Sequence, residues 1–506
     1  MTSAKPRLVA HRGLHDTSEG GAVENTLAAI RHAVAAGADA IEVDVRVTRD
    51  GAVVLLHDPT LTRIWGDPRA VADVDLAELR EFGGGDRRIP LLDDALELLR
   101  DTGVTLLIDM DEPTPATPAV GVVSDHEHRV ENPARTAWCG DHAAMRTVRG
   151  HLPSAEIWQP WYAAQPPAAA DLAELRPDVV NVEHLLVGNA FVAAVHTLGV
   201  RVSCWTVNEP AQIAHLASIG VDSITTDVLP AAQQVLVDGV TSDGRSRERS
   251  IVHALATRAA KATTYARHNG VGGVHTKSGP ADHVTEVDRW IERTVREILG
   301  AQFPTHGVVG EEYGGTEASS CWFVDPIDGT ANLVDGVPWT SFSLALVQDG
   351  RPVVGAVLDP LGPTPVTAAE GAGAWHAGQR LQLTPGQDDD PLAGMIVSTE
   401  LAGTDAWPGL HTFLDHIAAR HGILRIPGSG TATLAGVALG RGAGAIIHDY
   451  SPLDHAAALL IVREAGGVVL DADGTESPHP AGGAVIAARD ARTAHAIWQE
   501  WHATQA

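Results

Sequence analysis

Short β-rich runs alternate with alanine-rich amphipathic stretches over about the first 230 residues. Alternation of this kind predicts βαβ units and a parallel sheet. Nine runs qualify as strands, one more than an eight-stranded barrel needs, so we expect one of them to be surplus to the barrel. The predicted strands cover residues 8–10, 40–47, 53–57, 104–110, 135–139, 156–161, 179–183, 201–207 and 223–226.

The pattern changes after residue 250. Residues 241–250 contain no apolar side chain, which is typical of a linker. We therefore predict a front domain over residues 1–240 and a rear domain over residues 251–506, in which a long helix precedes a mixed region of strands and helices. A stretch rich in Pro, Thr, Glu and His at residues 112–133 is predicted to be a surface loop of the front domain.

Histidines and carboxylates follow the first four predicted strands of the front domain. Catalytic residues gather at strand ends in barrels of this kind. Three carboxylates on one rim offer the oxygen ligands that Mg²⁺ or Ca²⁺ prefers, two histidines can act as general base and acid, and an arginine can bind phosphate. These side chains are His11, Arg12, Glu42, Asp44, His57 and Asp109.

Several motifs of the first half agree in order and spacing with one known family. They are HRG at 11–13, ENT at 24–26, GADAIEVDV at 37–45, TRDG at 48–51, HD at 57–58, WTVN at 205–208 and GVDSITTD at 220–227. On these motifs, residues 7–232 resemble the glycerophosphodiester phosphodiesterases. The resemblance implies a TIM-like (β/α)8 barrel with one divalent cation, Mg²⁺ or Ca²⁺, held by Glu42, Asp44 and Asp109.

The same resemblance implies that His11 and His57 form the acid–base pair and that Arg12 binds the substrate phosphate. One position departs from the family pattern. The fourth strand of the family usually ends Glu-x-Lys, whereas here it ends Asp109-Met110-Asp111. An acid therefore replaces a phosphate-facing lysine, and one positive substrate contact is lost.

Carboxylates in three separate segments of the second half suit a site for two cations. Asp325 and Asp328 flank a predicted turn after a strand-like run, Glu311 follows another short strand, and Asp454 opens an alanine-rich helix. The two residues after Asp328 can present backbone N–H groups to a phosphate, as at the start of a helix.

These segments also match a known family. The matching stretches are Lys277, DHVTEVD at 282–288, GEE at 310–312, DPIDGT at 325–330 with Asn332, and Asp454 with EAGG at 464–467. On them, residues 251–500 are similar to the inositol monophosphatase superfamily. The similarity implies a layered αβαβα sandwich and two or more Mg²⁺ ions.

The similarity also implies roles for individual residues. One metal would bind Glu311, Asp325 and the Ile327 carbonyl, and a second would bind Asp325, Asp328 and Asp454. Gly329 and Thr330 would contact the phosphate, and Thr330 with Glu311 would orient the attacking water. The leaving-group pocket departs from the pattern, because Leu453 replaces a tryptophan and residues 443–452 form a shorter segment in which His448 or Asp449 could stand in for the alcohol-binding acid.

The net charge, the apolar runs and the cysteines of the chain limit the classes of function that it can have. The net charge of −28 argues against nucleic-acid binding, and no apolar run is long enough to span a bilayer. The three cysteines show no zinc-like spacing and are expected to be reduced thiols of a cytoplasmic protein. The expected partners are small phosphate esters, together with a second copy of the chain through the rear domain.

Two hypotheses follow for function. In the first, the chain is a bifunctional hydrolase of phospholipid metabolism: the front domain cleaves a glycerophosphodiester, for instance glycerophosphoinositol, and the rear domain dephosphorylates the inositol phosphate or glycerol phosphate. In the alternative, the rear domain acts on histidinol phosphate, a 3′-phosphonucleotide or a sugar phosphate, and the barrel is a binding or regulatory module.

Overall fold

The computed structural model describes residues 5–16, 21–238, 245–276, 283–387, 389–401 and 405–505. The chain divides into two compact units, Met1–Thr241 and Ser242–Ala506. Residues 241–244 of the predicted linker lie outside the described residues, as do Lys277 and Asp282. The prediction of a linker was wrong for residues 246–250, which begin a long helix.

The front unit contains nine strands and ten α-helices among its described residues. The strands are β1 (Arg7–Ala10), β2 (Ala40–Val47), β3 (Val53–Leu55), β4 (Thr105–Met110), β5 (Arg135–Gly140), β6 (Glu156–Trp161), β7 (Val179–Glu183), β8 (Arg201–Trp205) and β9 (Ser223–Thr226). The helices are α1 (Leu27–Ala35), α2 (Thr62–Trp65), α3 (Leu76–Leu79), α4 (Leu92–Leu99), α5 (Ala116–Arg129), α6 (His142–His151), α7 (Ala169–Leu172), α8 (Asn189–Thr197), α9 (Pro210–Ser218) and α10 (Leu229–Asp238).

Eight parallel strands close into a barrel in the order β1-β9-β8-β7-β6-β5-β4-β2, and β2 pairs back onto β1. This confirms the predicted fold. The surplus strand is β3, which pairs antiparallel with β2 outside the ring. Because a barrel strand faces packed side chains on both sides, its sequence is nearly continuously apolar, and acids inside such a run need a reason to be there.

The predicted surface loop at residues 112–133 was wrong, because most of it is helix α5. Ala116, Ala119, Val120, Val123 and His126 are buried at helical spacing on one face of that helix. Its proline, the third helical residue, lies in the first turn, where a missing N–H breaks no helical hydrogen bond. The polar composition of this segment suggested a loop, whereas the spacing of its apolar residues indicates the helix that is observed.

The rear unit contains the remaining elements. Its helices are α11 (Ser246–Asn269), α12 (Glu286–Gln302), α13 (Thr330–Val334), α14 (Leu410–Ala419), α15 (Gly430–Ala438), α16 (Pro452–Glu464) and α17 (Ala491–His502). Its strands are β10 (Val274–Thr276), β11 (His283–Thr285), β12 (Gly307–Gly310), β13 (Ser320–Asp328), β14 (Ser341–Gln348), β15 (Arg351–Leu358), β16 (Pro365–Ala369), β17 (Gly373–His376), β18 (Gln379–Arg380), β19 (Ile396–Thr399), β20 (Ile423–Arg425), β21 (Gly444–Ile447), β22 (Val468–Leu470) and β23 (Val485–Ala488).

Two sheets separate three helical layers, which confirms the predicted αβαβα sandwich. The seven-stranded sheet runs from β12 to β18 in chain order, and the five-stranded sheet has the order β20-β19-β21-β23-β22. Helices α11 and α12 cover the larger sheet, α15 and α16 lie between the sheets, and α14 and α17 cover the smaller one. Helix α16 is apolar nearly all round, as a helix between two sheets must be.

Two details of the rear unit differ from the sequence prediction. The predicted turn at Asp325 is instead part of β13, which continues to Asp328 with a shift of register between these two residues. That irregularity re-aims side chains toward the sheet edge. Helix α16 begins at Pro452, so Asp454 is its third residue rather than its first.

Candidate functional site

The carboxyl ends of β2 and β4 bring three acids of the front unit together. Glu42, Asp44 and Asp109 each offer an oxygen within 4.8 Å of the other two. Burial, then repulsion from Asp44 and Asp109, holds the pKa of Glu42 well above its usual range. Burial, with repulsion from Asp44 and Asp111, raises the pKa of Asp109 to about 6. The three side chains are therefore crowded like charges that a divalent cation would relieve.

Each predicted histidine has an acid at Nδ1. His11 Nδ1 lies 2.6 Å from Asp227 Oδ1, and His57 Nδ1 lies 2.7 Å from Asp58 Oδ1. A carboxylate at Nδ1 fixes the tautomer and leaves Nε2 for chemistry. His11 Nε2 lies 4.0 Å from Glu42, so this edge of the ring faces the clustered acids.

Arg12 lies between acids rather than standing alone. Its guanidinium donates to Glu24 at 2.9 Å and lies 3.1 Å from Asp44, and its backbone N–H donates to Glu42 at 2.8 Å. Asn25 also donates to Asp44, at 2.8 Å. The HRG and ENT motifs therefore hold the clustered acids Glu42 and Asp44 in position, a role that the sequence prediction did not give them.

Asp111, the departure at the end of β4, accepts a 2.5 Å hydrogen bond from Arg46. The same guanidinium donates to Glu112 and to the backbone carbonyl of His57. One buried arginine thus ties the end of β4 to the segment that carries His57.

The side chain of Asp109 lies close to the backbone at the end of β5. Gly140, at the end of β5, has a φ of +108°, and a Cβ there would lie 2.1 Å from the Met110 carbonyl and 2.4 Å from Asp109 Oδ1. Only glycine fits this position, because the backbone of β5 passes so close to the acid.

The rear unit gathers its own acids around β13. Burial and then the charges of Glu311, Asp454 and Asp328 hold the pKa of Asp325 well above its usual range. Asp325 is 2% exposed and accepts from the Ile327 N–H at 2.9 Å. These effects place all four predicted carboxylates in one electrostatic neighbourhood. Among the described residues, however, only the front acids form a group of three within 4.8 Å.

Asp328 and Thr330 are held by groups that were not predicted. Asp328 accepts from the Ser429 hydroxyl at 2.7 Å and from the Thr431 N–H at 2.6 Å. The Thr330 hydroxyl lies 2.8 Å from the Ile327 carbonyl and 3.2 Å from Asp288 Oδ1. A hydroxyl has one proton, so it donates to one of these oxygens at a time.

Gly329, a predicted phosphate contact, occupies a tight position between β13 and α13. Its φ is +85°, and a Cβ there would lie 2.8 Å from the Gly428 carbonyl and 2.9 Å from the Trp339 carbonyl. The residue is the N-cap of α13. That helix is only five residues long, so its backbone can present N–H groups but adds little dipole.

The structure gives His448 a packing role. Its ring is stacked on Trp407 with centroids 5.2 Å apart, and it meets Trp501 edge-on. These contacts pack the His448 ring against the layer of α14 and α17. Asp449 is exposed.

Comparison with known proteins agrees with this geometry. Residues 246–504 match the model of the inositol monophosphatase family. The chain belongs to this family. Its front half, residues 11–230, matches the glycerophosphoryl diester phosphodiesterase family.

Individual relatives of this inositol monophosphatase family member cover mainly the rear half. An inositol-1-monophosphatase of Rhizobium meliloti is 37% identical over 211 residues, which is 41% of this chain and 79% of that protein. A fructose-1,6-bisphosphatase/inositol-1-monophosphatase of Thermotoga maritima is 34% identical over 208 residues, or 41% of this chain and 78% of that protein. A Silicibacter pomeroyi structure of the glycerophosphoryl diester phosphodiesterase type has 27% identity and a TM-score of 0.41, and covers 47% of this chain and 95% of that one.

Sequence reasoning missed one further acid of the phosphatase half. Glu400 accepts from Thr433 at 2.5 Å and from the Gly428 N–H at 2.8 Å. Burial, together with the nearby charge of Asp328, raises its pKa to about 7. The sequence around Glu400 did not indicate a functional role, since the residue simply follows a short strand.

We expect Mg²⁺ to stabilise the front unit more at pH 7.5 than at pH 5. The cation-free folded chain retains a proton on Asp109 up to pH about 6, whereas the unfolded chain loses it near pH 4, so stability without metal falls as pH rises across this window. Bound Mg²⁺ must displace that proton, which costs roughly 1.4 kcal/mol for each pH unit below 6.

Calorimetry of the full chain checks this, in an Asp325→Asn background that weakens the rear site. The increase in Tm on adding Mg²⁺ should grow between pH 5 and 7.5 and should largely disappear in Asp109→Asn. An increase that is the same at both pH values and survives Asp109→Asn would contradict the assignment.

Proposed function

We propose that the front site hydrolyses a glycerophosphodiester, such as glycerophosphoinositol, and that the rear site dephosphorylates the resulting monoester. Phosphodiester and phosphomonoester hydrolysis are the chemistries of the two families. The observation that carries the front activity is the group of three metal-binding acids beside His11, whose reactive nitrogen faces them.

The front residues fit a divalent cation. Glu42 Oε1 is buried without a hydrogen-bond partner in the described part of the chain, and the donors are all carboxylate oxygens. We propose that Glu42, Asp44 and Asp109 hold one Mg²⁺ or Ca²⁺. A bound cation would polarise the phosphoryl group and reduce its negative charge.

His11 and His57 then move the protons. One imidazole takes a proton from the attacking water, and the other gives a proton to the leaving oxygen. Asp227 and Asp58 orient the two rings and stabilise whichever imidazolium forms. Asn208 holds Asp227 through a 2.7 Å hydrogen bond, which gives the WTVN motif a function.

In the rear unit we propose Mg²⁺ ligands on Glu311, Asp325, the Ile327 carbonyl, Asp328 and Asp454. The repulsion that raises the pKa of Asp325 supports this donor set. Metal ions there would activate water and stabilise the leaving alkoxide. Thr330 and Glu311 orient the water, and Asp288 fixes Thr330 from the start of α12.

We further propose that the halves fold and act independently, and that the chain is cytoplasmic. The three cysteines are buried free thiols, which supports a reducing compartment. Among the described residues, no helix is both long and apolar enough to cross a membrane. A homodimer through the rear unit remains a prediction that sedimentation can test.

The two activities should separate by mutation. Glu42→Gln or His57→Ala should remove hydrolysis of glycerophosphoinositol while monoester hydrolysis continues. Asp328→Asn should do the reverse, so that phosphate release from the diester stops and the monoester accumulates. The sites share no residue, so their effects should be additive. A single substitution that abolishes both activities would contradict independent sites.

Asp325 should be the most sensitive metal ligand of the rear unit. If it bridges two cations, Asp325→Asn disturbs both, whereas Asp454→Asn disturbs one. We expect the larger loss of kcat in Asp325→Asn and better rescue of Asp454→Asn by added Mg²⁺. Titration of phosphatase activity against Mg²⁺ measures both, and equal losses with equal rescue would exclude the bridge.

One relative favours a second class of monoester. The Thermotoga maritima protein is a fructose-1,6-bisphosphatase as well as an inositol-1-monophosphatase. The leaving-group pocket departs from the family pattern at Leu453 and residues 443–452, so a sugar phosphate is a further candidate substrate here. A panel of monoesters ranked by kcat/KM, including histidinol phosphate and a 3′-phosphonucleotide, decides among them.

A further inference from the structure

A cavity of about 780 Å³ lies at the carboxyl ends of the barrel strands, and only one side of it is used by the chemistry described above. His11, Glu42 and Asp109 line that side. The remaining walls, called here the opposite walls, come from Asp111, which follows β4, and from the ends of β5 to β8. An alcohol group that is esterified to the phosphate and extends away from the acids must therefore contact those walls.

The opposite walls carry negative charge. Asp111, Asp141 and Asp171 line the cavity, and neither lysine nor arginine is among the described residues that do so. Arg46 pairs with Asp111 from outside the lining, but it also pairs with Glu112, so one cation faces two acids. Glu42, Asp44 and Asp109 would be neutralised by a bound metal ion. The negative charges of the wall acids would then remain available to attract a ligand.

Two of the wall acids are fixed in position by capping helices. Asp141 Oδ1 accepts from the N–H groups of Ala143 and Ala144 at 2.8 and 2.9 Å. Asp171 accepts from the Ala168 N–H at 2.7 Å. Their positions therefore do not depend on a ligand, and both residues line the cavity while their carboxylates accept these N–H groups.

The floor of the cavity presents unpartnered acceptors. Gln159 is 3% exposed and donates from Nε2 to the Asp171 carbonyl, but its Oε1 has no partner among the described residues. Asn181 is 8% exposed, and its Oδ1 is likewise without a partner there. Buried carbonyl oxygens of this kind are costly unless a donor reaches them. A ligand that donates hydrogen bonds or carries positive charge supplies what they lack.

Aromatic rings complete the walls. Trp161, Tyr162 and Trp205 line the cavity, and Tyr162 is 71% exposed. The Trp161 indole donates to the Gln165 carbonyl at 2.8 Å, which fixes its ring. Aromatic faces beside acids attract organic cations.

We propose that the front site selects glycerophosphodiesters whose second alcohol carries a positively charged amine, and that Asp111, Asp141 and the aromatic wall make the selection. This rests on the proposed diesterase function. It gives a reason for Asp111, since an acid where the family usually has lysine changes which charge the pocket accepts. Because the phosphate-facing lysine is absent, the phosphate must be held from the metal side.

The reaction balances as a simple hydrolysis. Water forms a bond to phosphorus, the bond from phosphorus to the amino alcohol's oxygen breaks, and the alkoxide leaves with a proton. The products are an amino alcohol and glycerol phosphate. The monoester passed to the rear site is then glycerol phosphate for every diester in the class, which narrows the rear substrate.

The experiment compares four diesters on the full chain with Mg²⁺: glycerophosphoethanolamine, glycerophosphocholine, glycerophosphoglycerol and glycerophosphoinositol. We expect kcat/KM to be roughly ten-fold higher for the two cationic diesters, as for one well-placed charge contact. The preference should shrink in 1 M salt, because screening weakens exposed charge contacts. Ethanolamine above choline would point to the acceptors of Gln159 and Asn181, and the reverse order to the aromatic wall; either order supports the proposal.

Variants assign the effect. Asp141→Asn keeps the helix cap, since Asn caps as well as Asp, and should lower kcat/KM for the cationic diesters only. Asp111→Lys should reverse the preference. Asp125→Asn, the same charge change on the exposed face of α5, is the matched control and should leave the ratio unchanged.

The outcomes separate the two proposals. Equal kcat/KM for all four diesters, or a preference that both Asp111→Lys and Asp141→Asn leave unchanged, overturns the selection while the diesterase stands. No cleavage of any diester, nor of bis(p-nitrophenyl) phosphate, by a chain that still folds and still hydrolyses monoesters overturns the diesterase itself.

Discussion

The repulsion between buried carboxylates is the constraint on which both sites depend. Glu42 and Asp325 are almost fully buried, and in each case burial and neighbouring acids raise the pKa well above the ordinary range. Burying several acids side by side is unfavourable for the free energy of folding, because each acid loses its hydration and gains a like-charged neighbour. A divalent cation, which we propose for each site, would relieve this repulsion at neutral pH.

Much of the surrounding structure holds those acids in place against this repulsion. In the barrel, Arg12 and Asn25 bind Asp44, and the backbone of β5 passes beside Asp109 because Gly140 has no side chain. In the sandwich, Ser429 and Thr431 bind Asp328 from the start of α15. Unrelated folds thus use the same means: polar groups at element ends fix each acid so that the cation meets a formed site.

The sequence predicted what is periodic or local and missed what is assembled from distant segments. The barrel strands could be found because their apolar runs are interrupted only where acids are needed, as in β2. Helix α5 was missed because its polar composition hid the spacing of Ala116, Ala119 and Val123. Asp227 and Glu400 were missed because each lies far along the chain from its neighbour in the site: Asp227 from His11, which it contacts, and Glu400 from Asp328, whose charge raises its pKa. The stacking of His448 on Trp407 could not be predicted either, since sequence position says nothing about which ring a side chain packs against.

The proposed metal sites would give the two halves a shared dependence on divalent cation and on pH. Burial, with repulsion from Asp44 and Asp111, raises the pKa of Asp109 to about 6, and burial, with the charge of Asp328, raises the pKa of Glu400 to about 7. Asp109 is a proposed ligand of the front cation, and protonated carboxylates bind divalent cations poorly. Glu400 is not among the proposed ligands, but its protonation would change the charge beside Asp328, which is one of them. Under these assignments both activities would fall when Mg²⁺ is withdrawn, although the two sites share no residue, because the repulsion within each group of acids would return.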